Sequence, residues 1–376
     1  GRPLRHPRRR PSRRLRRGVG HPEHFGHFYR VTTWPGMERL PKGALRLVKG
    51  LSHAAGMASL VGALRRWRPD VIHFQWVPLP VVDRKFLAAF GRIAPLVMTV
   101  HDSNPFNGNP SSGLQRLGAT AIWQAFDALI VHTQQAAARL RAHGVPAERL
   151  HRLPHGLLHE PASALRPNAS SRHERPDERL VLLAFGKLKP YKGIDVLIDA
   201  LAQLTPAQRA KVVVRVVGSA YMPTDPLLAQ AVRRGVDETI EFDFRFVPDD
   251  ALAALIAQST ALVFPYREID ASGVLMIALA AGKPIIASAI GNFVELLESS
   301  EAALLVPPGD AVALAQRIGR FIDEADLRAR MRDAALRQRE AIPSWAAIAQ
   351  QTVEVYRPLR GHALQHAASG GASMSG

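Results

Sequence analysis

Three lysines fall within six residues in the stretch Phe185-Gly186-Lys187-Leu188-Lys189-Pro190-Tyr191-Lys192-Gly193. Ammonium groups crowded beside a glycine suit the neutralisation of a diphosphate. The glycine lets the backbone approach the ligand, and each lysine adds a compact charge. The glycine and lysine-serine spacing of a Walker loop is absent, so P-loop chemistry is excluded. A solvated strand-to-helix turn explains the same residues without any ligand. A second stretch, Tyr266-Arg267-Glu268-Ile269-Asp270-Ala271-Ser272-Gly273-Val274, sets carboxylates immediately before a Ser-Gly helix start. Carboxylates accept from sugar hydroxyls, while amides at Ser272, Gly273 and Val274 would donate to phosphate oxygens. Simple capping by Asp270 or Ser272 is the plainer account of that stretch taken alone. The third candidate is His101, in Thr99-Val100-His101-Asp102 at the end of an apolar run. A hydrogen-bonded histidine at a strand end is its plain alternative.

The elements that must position these residues follow an alternating pattern. Short β-branched runs over 70–74, 95–101 and 127–132 read as buried strands, and helical text lies between them, as in 51–67 and 134–143. Gly144 stands where the second of those helices should stop. Residues 161–178 (PASALRPNASSRHERPDE) are polar, rich in Pro, Ser and Arg, and without period, which predicts a linker. A second series follows, with strands over 180–185, 212–217, 261–264, 284–288 and 303–306. Ile194, Leu197, Ile198, Leu201 and Leu204 fall on one face of a helix. Asp310 is placed to cap the helix after the last strand. Strands alternating with helices predict parallel sheets, which bind ligands at the carboxyl ends of their strands. The expected organisation is an arm over 1–24, a first Rossmann-like domain over 25–160, the linker, a second over 179–344, a terminal helix over 345–360, and a disordered tail over 361–376.

Composition narrows the class. With no cysteine in 376 residues, disulfides, thiolate zinc sites and cysteine nucleophiles are excluded. The fifteen histidines include no pair at the spacing of a zinc protease, and no metal site is expected. No uninterrupted apolar run approaches the length of a bilayer span, and nothing reads as an export signal, so a cytoplasmic setting is expected. The net charge of +17 is concentrated: residues 1–20 hold nine arginines and no acid, which leaves +8 for the rest. Such an arm cannot bury apolar surface. It fits attraction to anionic lipids, attraction to nucleic acid, or misframed coding text. No motif supports specific nucleic-acid binding.

Taken together, the motifs resemble the retaining glycosyltransferase family four. The likeness rests on the order of FGKLKPYKG, VVGSA, the Asp-Ala-Ser-Gly-Val helix start, Gly291-Asn292-Phe293-Val294-Glu295 and LLVPPGD. It runs over roughly 70–358 and is strongest over 181–312. The resemblance implies the GT-B fold, in which two Rossmann-like domains face each other across a cleft. It also implies a UDP- or GDP-linked sugar as donor, with no further cofactor. Gly186, Lys187, Lys192, Ser272, Gly273 and Val274 would bind that donor, and Lys187 and Lys192 match the basic pair that grips its diphosphate. Lys187 stands where the family usually has arginine, which keeps the charge and loses the bidentate fork. Asp270 matches the first acid of the family's paired-acid motif and would touch the transferred sugar. Ala278 stands in place of the second acid, which binds the donor ribose. His101 matches the family's histidine, which meets the transferred sugar or orients the acceptor. His73-Phe74-Gln75-Trp76 and Pro154-His155-Gly156 are similar to family text as well. Residues 1–40 lack the family's opening strand, glycine-rich loop and helix, so the first domain reads as incomplete.

The implied reaction is metal-independent transfer with retention, to a glycan or a lipid-linked acceptor. The surplus of base over 61–92 (Arg65, Arg66, Arg68, Arg84, Lys85 and Arg92 against Asp70 and Asp83) adds an expectation of peripheral contact with the inner membrane. A nucleotide-sugar epimerase of the same shape, or a catalytically degenerate binding protein, remains open at this point.

Overall fold

The computed structural model describes residues 40–103, 120–158 and 179–371. The expected arm and linker lie outside the described residues, as do 372–376. The chain divides into a unit up to Trp67 and a unit from Arg68 onward. The described part of the first is helix α1 (Lys42–Trp67). By length and composition its stretch Gly43–Trp67 could cross a membrane, with a mean hydropathy of 1.3, a test that core helices of soluble proteins also pass. The stretch escapes a search for uninterrupted apolar runs because Ser52, His53 and Ser59 break it. Its basic residues sit toward the ends and leave 50–64 without a charged side chain.

The second unit opens with β1 (Ile72–Phe74), α2 (Pro80–Gly91), β2 (Leu96–Val100), β3 (Ala128–Val131), α3 (Gln134–Ala142) and β4 (Leu150–Arg152). The four strands form a parallel sheet in the order β1-β2-β3-β4. From residue 179 onward come β5 (Leu180–Phe185), α4 (Ile194–Ala202), α5 (Pro206–Ala210), β6 (Val212–Val217), α6 (Asp225–Arg233), β7 (Ile240–Asp243), α7 (Asp249–Gln258) and β8 (Ala261–Phe264). The series ends with α8 (Gly273–Ala280), β9 (Ile285–Ser288), α9 (Gly291–Leu297), β10 (Ala303–Val306), α10 (Ala311–Asp323), α11 (Ala325–Ala341) and α12 (Trp345–Gly371). Its six strands are also all parallel, in the order β10-β9-β8-β5-β6-β7.

Parallel strands covered on both faces must be apolar throughout, and β2, β3, β8 and β9 are buried at every position. Alternation along β5 then sends Leu182 and Ala184 into one core and Leu183 and Phe185 into the other. The first core takes the predicted stripe of α4: Ile194, Leu197, Ile198, Leu201 and Leu204 are all buried there. Each such side chain contributes about 1.5–3 kcal/mol of burial. Two strands escape a sequence reading, β4 (Leu-His-Arg) and β7 (Ile-Glu-Phe-Asp). Both are edge strands, where one flank meets solvent and charged residues replace the apolar run. Asp310 caps α10 as expected, accepting from the Ala313 amide at 2.9 Å.

Helix α12 returns to the first sheet, where Val355 is buried against Val97, Ala128, Ile130 and Leu153. It continues through residues 361–371, where composition predicts a disordered tail. The alanines of this segment carry helix propensity that its small, polar character masks.

Candidate functional site

The lysine-rich turn is built on a tight backbone. After β5, a single helical turn over Pro190–Lys192 ends at Gly193, with φ 65°. A Cβ at Gly193 would lie 1.9 Å from the carbonyl oxygen of Pro265, so only glycine lets this turn close on the exit of β8. The closure drives Lys192 inward until only 4% of it is exposed. Its Nζ donates to Tyr266 Oη at 2.5 Å and sits 4.3 Å from the centre of the same ring. A Cβ on Gly186 would lie 3.3 Å from that Nζ and 3.5 Å from Cγ2 of Val274. Gly186, Lys192 and Val274, three of the expected donor residues, therefore converge. Among the described residues no carboxylate pairs with Lys192. Burial, and then the charge of Lys189, push its pKa down to about 7. Burial also holds the Tyr266 phenol above its ordinary range. A buried cation lacking a counter-ion is costly, and an incoming anion relieves the cost.

Lys187 does not join this cluster. It is exposed, with Nζ 5.9 Å from the Tyr221 ring. Lys189, which the resemblance does not single out, is half-buried. Burial and the charge of Lys187 lower its pKa, and Asp102 opposes the shift.

The second stretch divides its roles. Ser272 Oγ accepts from the Leu275 amide at 3.3 Å and so caps α8. The Ser272 amide donates to Asn292 Oδ1 at 3.0 Å. That bond corrects the expectation that this amide faces phosphate. Gly273 and Val274 stand in the first turn, where helix geometry leaves amides without an intrahelical acceptor. Asn292 also donates its own amide to the Asp270 carbonyl at 2.9 Å, so it holds the whole stretch in place. Asn292 lies within the GNFVE motif, although nothing in the motif foretells that use.

Asp270 is buried, 6% exposed, with both carboxylate oxygens engaged by the first half. The Ser103 amide donates to Oδ2 at 2.5 Å, and Arg139 Nη1 donates to Oδ1 at 3.1 Å and to Ser103 Oγ at 3.0 Å. In this arrangement Asp270 is a brace between the halves and does not present a free carboxylate to a sugar. Glu295 makes a parallel brace. It accepts from the amides of Gln134 and Gln135 at the start of α3 and from Arg152 Nη1 at 3.2 Å. Gln135 reciprocates by accepting the Gly291 amide at 3.2 Å. Beside these contacts a cavity of about 220 Å³ is lined by His132, Arg152, Pro154, His155, Asn292, Glu295 and Leu296.

Every strand of the first sheet delivers a histidine to the same edge: His73 in β1, His101 after β2, His132 after β3 and His155 after β4. Parallel strands make this alignment automatic. His101 Nε2 contacts Gln75 Oε1 at 2.9 Å, and its Nδ1 lies 3.4 Å from His132 Nε2. His73 contacts Thr99 Oγ1 at 2.8 Å and, from α12, Tyr356 Oη at 2.6 Å. Burial lowers the pKa of His73 and of His132 to about 4 and lowers that of His101, so these three imidazoles are neutral near pH 7. Neutral rings can take part in hydrogen bonding to hydroxyl groups without fixing an anion there.

Comparison with known proteins places this geometry. Residues 179–324 match the model for glycosyl transferases group 1, and residues 5–156 match that for the glycosyl transferase 4-like domain. The latter match begins far upstream of residue 70, where the motifs begin. The chain is 30% identical over 331 residues to the D-inositol 3-phosphate glycosyltransferase of Streptomyces coelicolor, spanning 78% of this chain and 71% of that protein. It is 30% identical to D-inositol 3-phosphate glycosyltransferase 1 of Catenulispora acidiphila, over 84% of this chain and 77% of that protein. Among solved structures, Anabaena HepE in complex with UDP and glucose superposes with a TM-score of 0.63 at 23% identity, covering 81% of this chain and 82% of that one. The chain belongs to the group 1 glycosyltransferase family, and its two parallel-sheet halves have the GT-B fold.

Proposed function

We propose that this glycosyltransferase uses a UDP- or GDP-linked sugar and transfers it, with retention, to a hydroxyl of a glycan or lipid-linked acceptor. The observation that carries the donor reading is Lys192, a buried cation with no acidic partner among the described residues, held beside Gly186 and the first turn of α8. As the anomeric C–O bond breaks, negative charge grows on the departing diphosphate. Lys192 and the amides of Gly273 and Val274 stabilise it there, and they need no rearrangement at that moment. The acceptor oxygen forms the new bond on the same face, and its proton passes to the leaving phosphate oxygen. No enzymic base is required for that step. His101 lies at the carboxyl edge of the first sheet, where a neutral imidazole can hydrogen-bond a hydroxyl of the transferred sugar or orient the acceptor.

Proton NMR of a reaction with UDP- and GDP-hexoses and a mixed glycan acceptor pool tests this reading. The expected product keeps the donor's anomeric configuration. An inverted product would overturn retention. Nucleotide release with an epimerised free sugar, in the absence of acceptor, would favour the epimerase reading.

A further inference from the structure

Trp76 follows β1 and is 66% exposed, yet it is not loose. Its ring stacks on His101, with centroids 5.1 Å apart and planes 27° apart. The His101 ring continues to His132 at 5.3 Å, and His132 to His155 at 5.2 Å, along the carboxyl edge of the first sheet. An indole held rigid on one face and open to solvent elsewhere is costly to hydrate and well suited to cover an apolar surface.

The hydrogen bonds beside it specify what should accompany that surface. His132 Nδ1 faces the Leu153 carbonyl at 3.1 Å, which can only accept, so Nδ1 carries the hydrogen and neutral Nε2 keeps a lone pair. His101 Nε2 faces Gln75 Oε1, so it too carries the hydrogen and leaves a lone pair on Nδ1. The two lone pairs confront each other at 3.4 Å. With the Gln75 amide nitrogen turned to His73 Nε2 at 3.3 Å, these tautomers leave the contact unsatisfied, and a hydroxyl donor from outside can fill it.

We propose that Trp76 is the acceptor platform: a six-membered polyol ring, hexopyranose or cyclitol, lies with its C–H face on the indole and donates a hydroxyl toward His101 Nδ1 and His132 Nε2. This deepens the transferase reading and rests on it for the word acceptor. Saturation-transfer NMR on the full chain, with methyl α-D-glucopyranoside and myo-inositol as probes, tests it. Ring C–H protons of at least one probe should be saturated. Trp76→Ala should weaken that binding about tenfold, the size of one lost aromatic contact, and Trp76→Phe should restore most of it. The melting temperature should not move, because the residue is exposed. Equal saturation in wild type and Trp76→Ala, or no saturation by either probe, would overturn the proposal. Nucleoside diphosphate binding, read by thermal shift on the same samples, reports the donor site independently. Its failure would sink the donor reading and leave the Trp76 result to stand or fall alone.

Discussion

Lys192→Ala should weaken nucleoside diphosphate binding by at least about a hundredfold, roughly the 2–3 kcal/mol of one charge-assisted contact in a desolvated site. The fold should survive, because the substitution also removes the cost of burying an unpaired ammonium. Lys192→Met, closer in volume, should show the same loss with less cavity. Titration calorimetry checks both, and unchanged affinity would remove Lys192 from the donor site. The same residue sets a pH dependence whose sign differs between stability and binding. Its folded pKa of about 7 lies below the ordinary 10.5. Between those values the unfolded chain holds the extra proton, so the Lys192 contribution to stability improves as pH rises through that window. Below pH 7 the burial penalty is felt in full. Diphosphate binding needs the ammonium, so affinity should fall as pH rises above 7, by up to about tenfold per unit. Binding above pH 7 should also take up protons, which calorimetry in buffers of different ionisation enthalpy detects.

Asp270→Ala should lower stability by about 3 kcal/mol, since it strands the Ser103 amide and the Arg139 guanidinium at a buried contact. Arg139 keeps 29% of its side chain exposed, which holds the loss at the lower end for a broken buried pair. In a domain pair of this size unfolding together the melting temperature should drop by roughly 4–5 °C. Arg139→Ala should cost less, and the double variant should fall short of the sum, because both act on one contact. A full-strength loss of transfer with no change in melting temperature would instead make Asp270 a sugar-binding acid alone.

These predictions differ in how far the sequence announced them. The two sheets were legible because their central strands are buried on both faces and read as unbroken apolar runs. Edge strands such as Leu150–Arg152 were not, since charge replaces that pattern where one flank is solvated. Gly186, Lys192 and Val274 were legible as donor-site candidates because turn chemistry and family order agree there. Lys187 and Lys189 could not be ranked against Lys192, because burial depends on how Gly193 closes against Pro265, 72 residues later. The bracing role of Asp270 and the tie from the Ser272 amide were hidden for the same reason, whereas the Ser272 cap was legible from the Ser-Gly helix start. Their partners, Arg139, Ser103 and Asn292, come from distant segments, and local sequence carries no trace of the pairing. The histidine edge was visible only as separate strand ends until parallel topology aligned them.

The central claim is that Gly186, Lys192 and Val274 together seat the diphosphate of a nucleotide sugar. A thermal-shift panel of ADP, CDP, GDP, UDP and dTDP on the unmodified chain tests it most directly. A ligand at a hundred times its Kd stabilises the folded state by about 2.7 kcal/mol, a rise of several degrees. The account predicts such a rise for UDP or GDP, and its loss in Lys192→Ala. No rise with any of the five, or an equal rise in the variant, would contradict it.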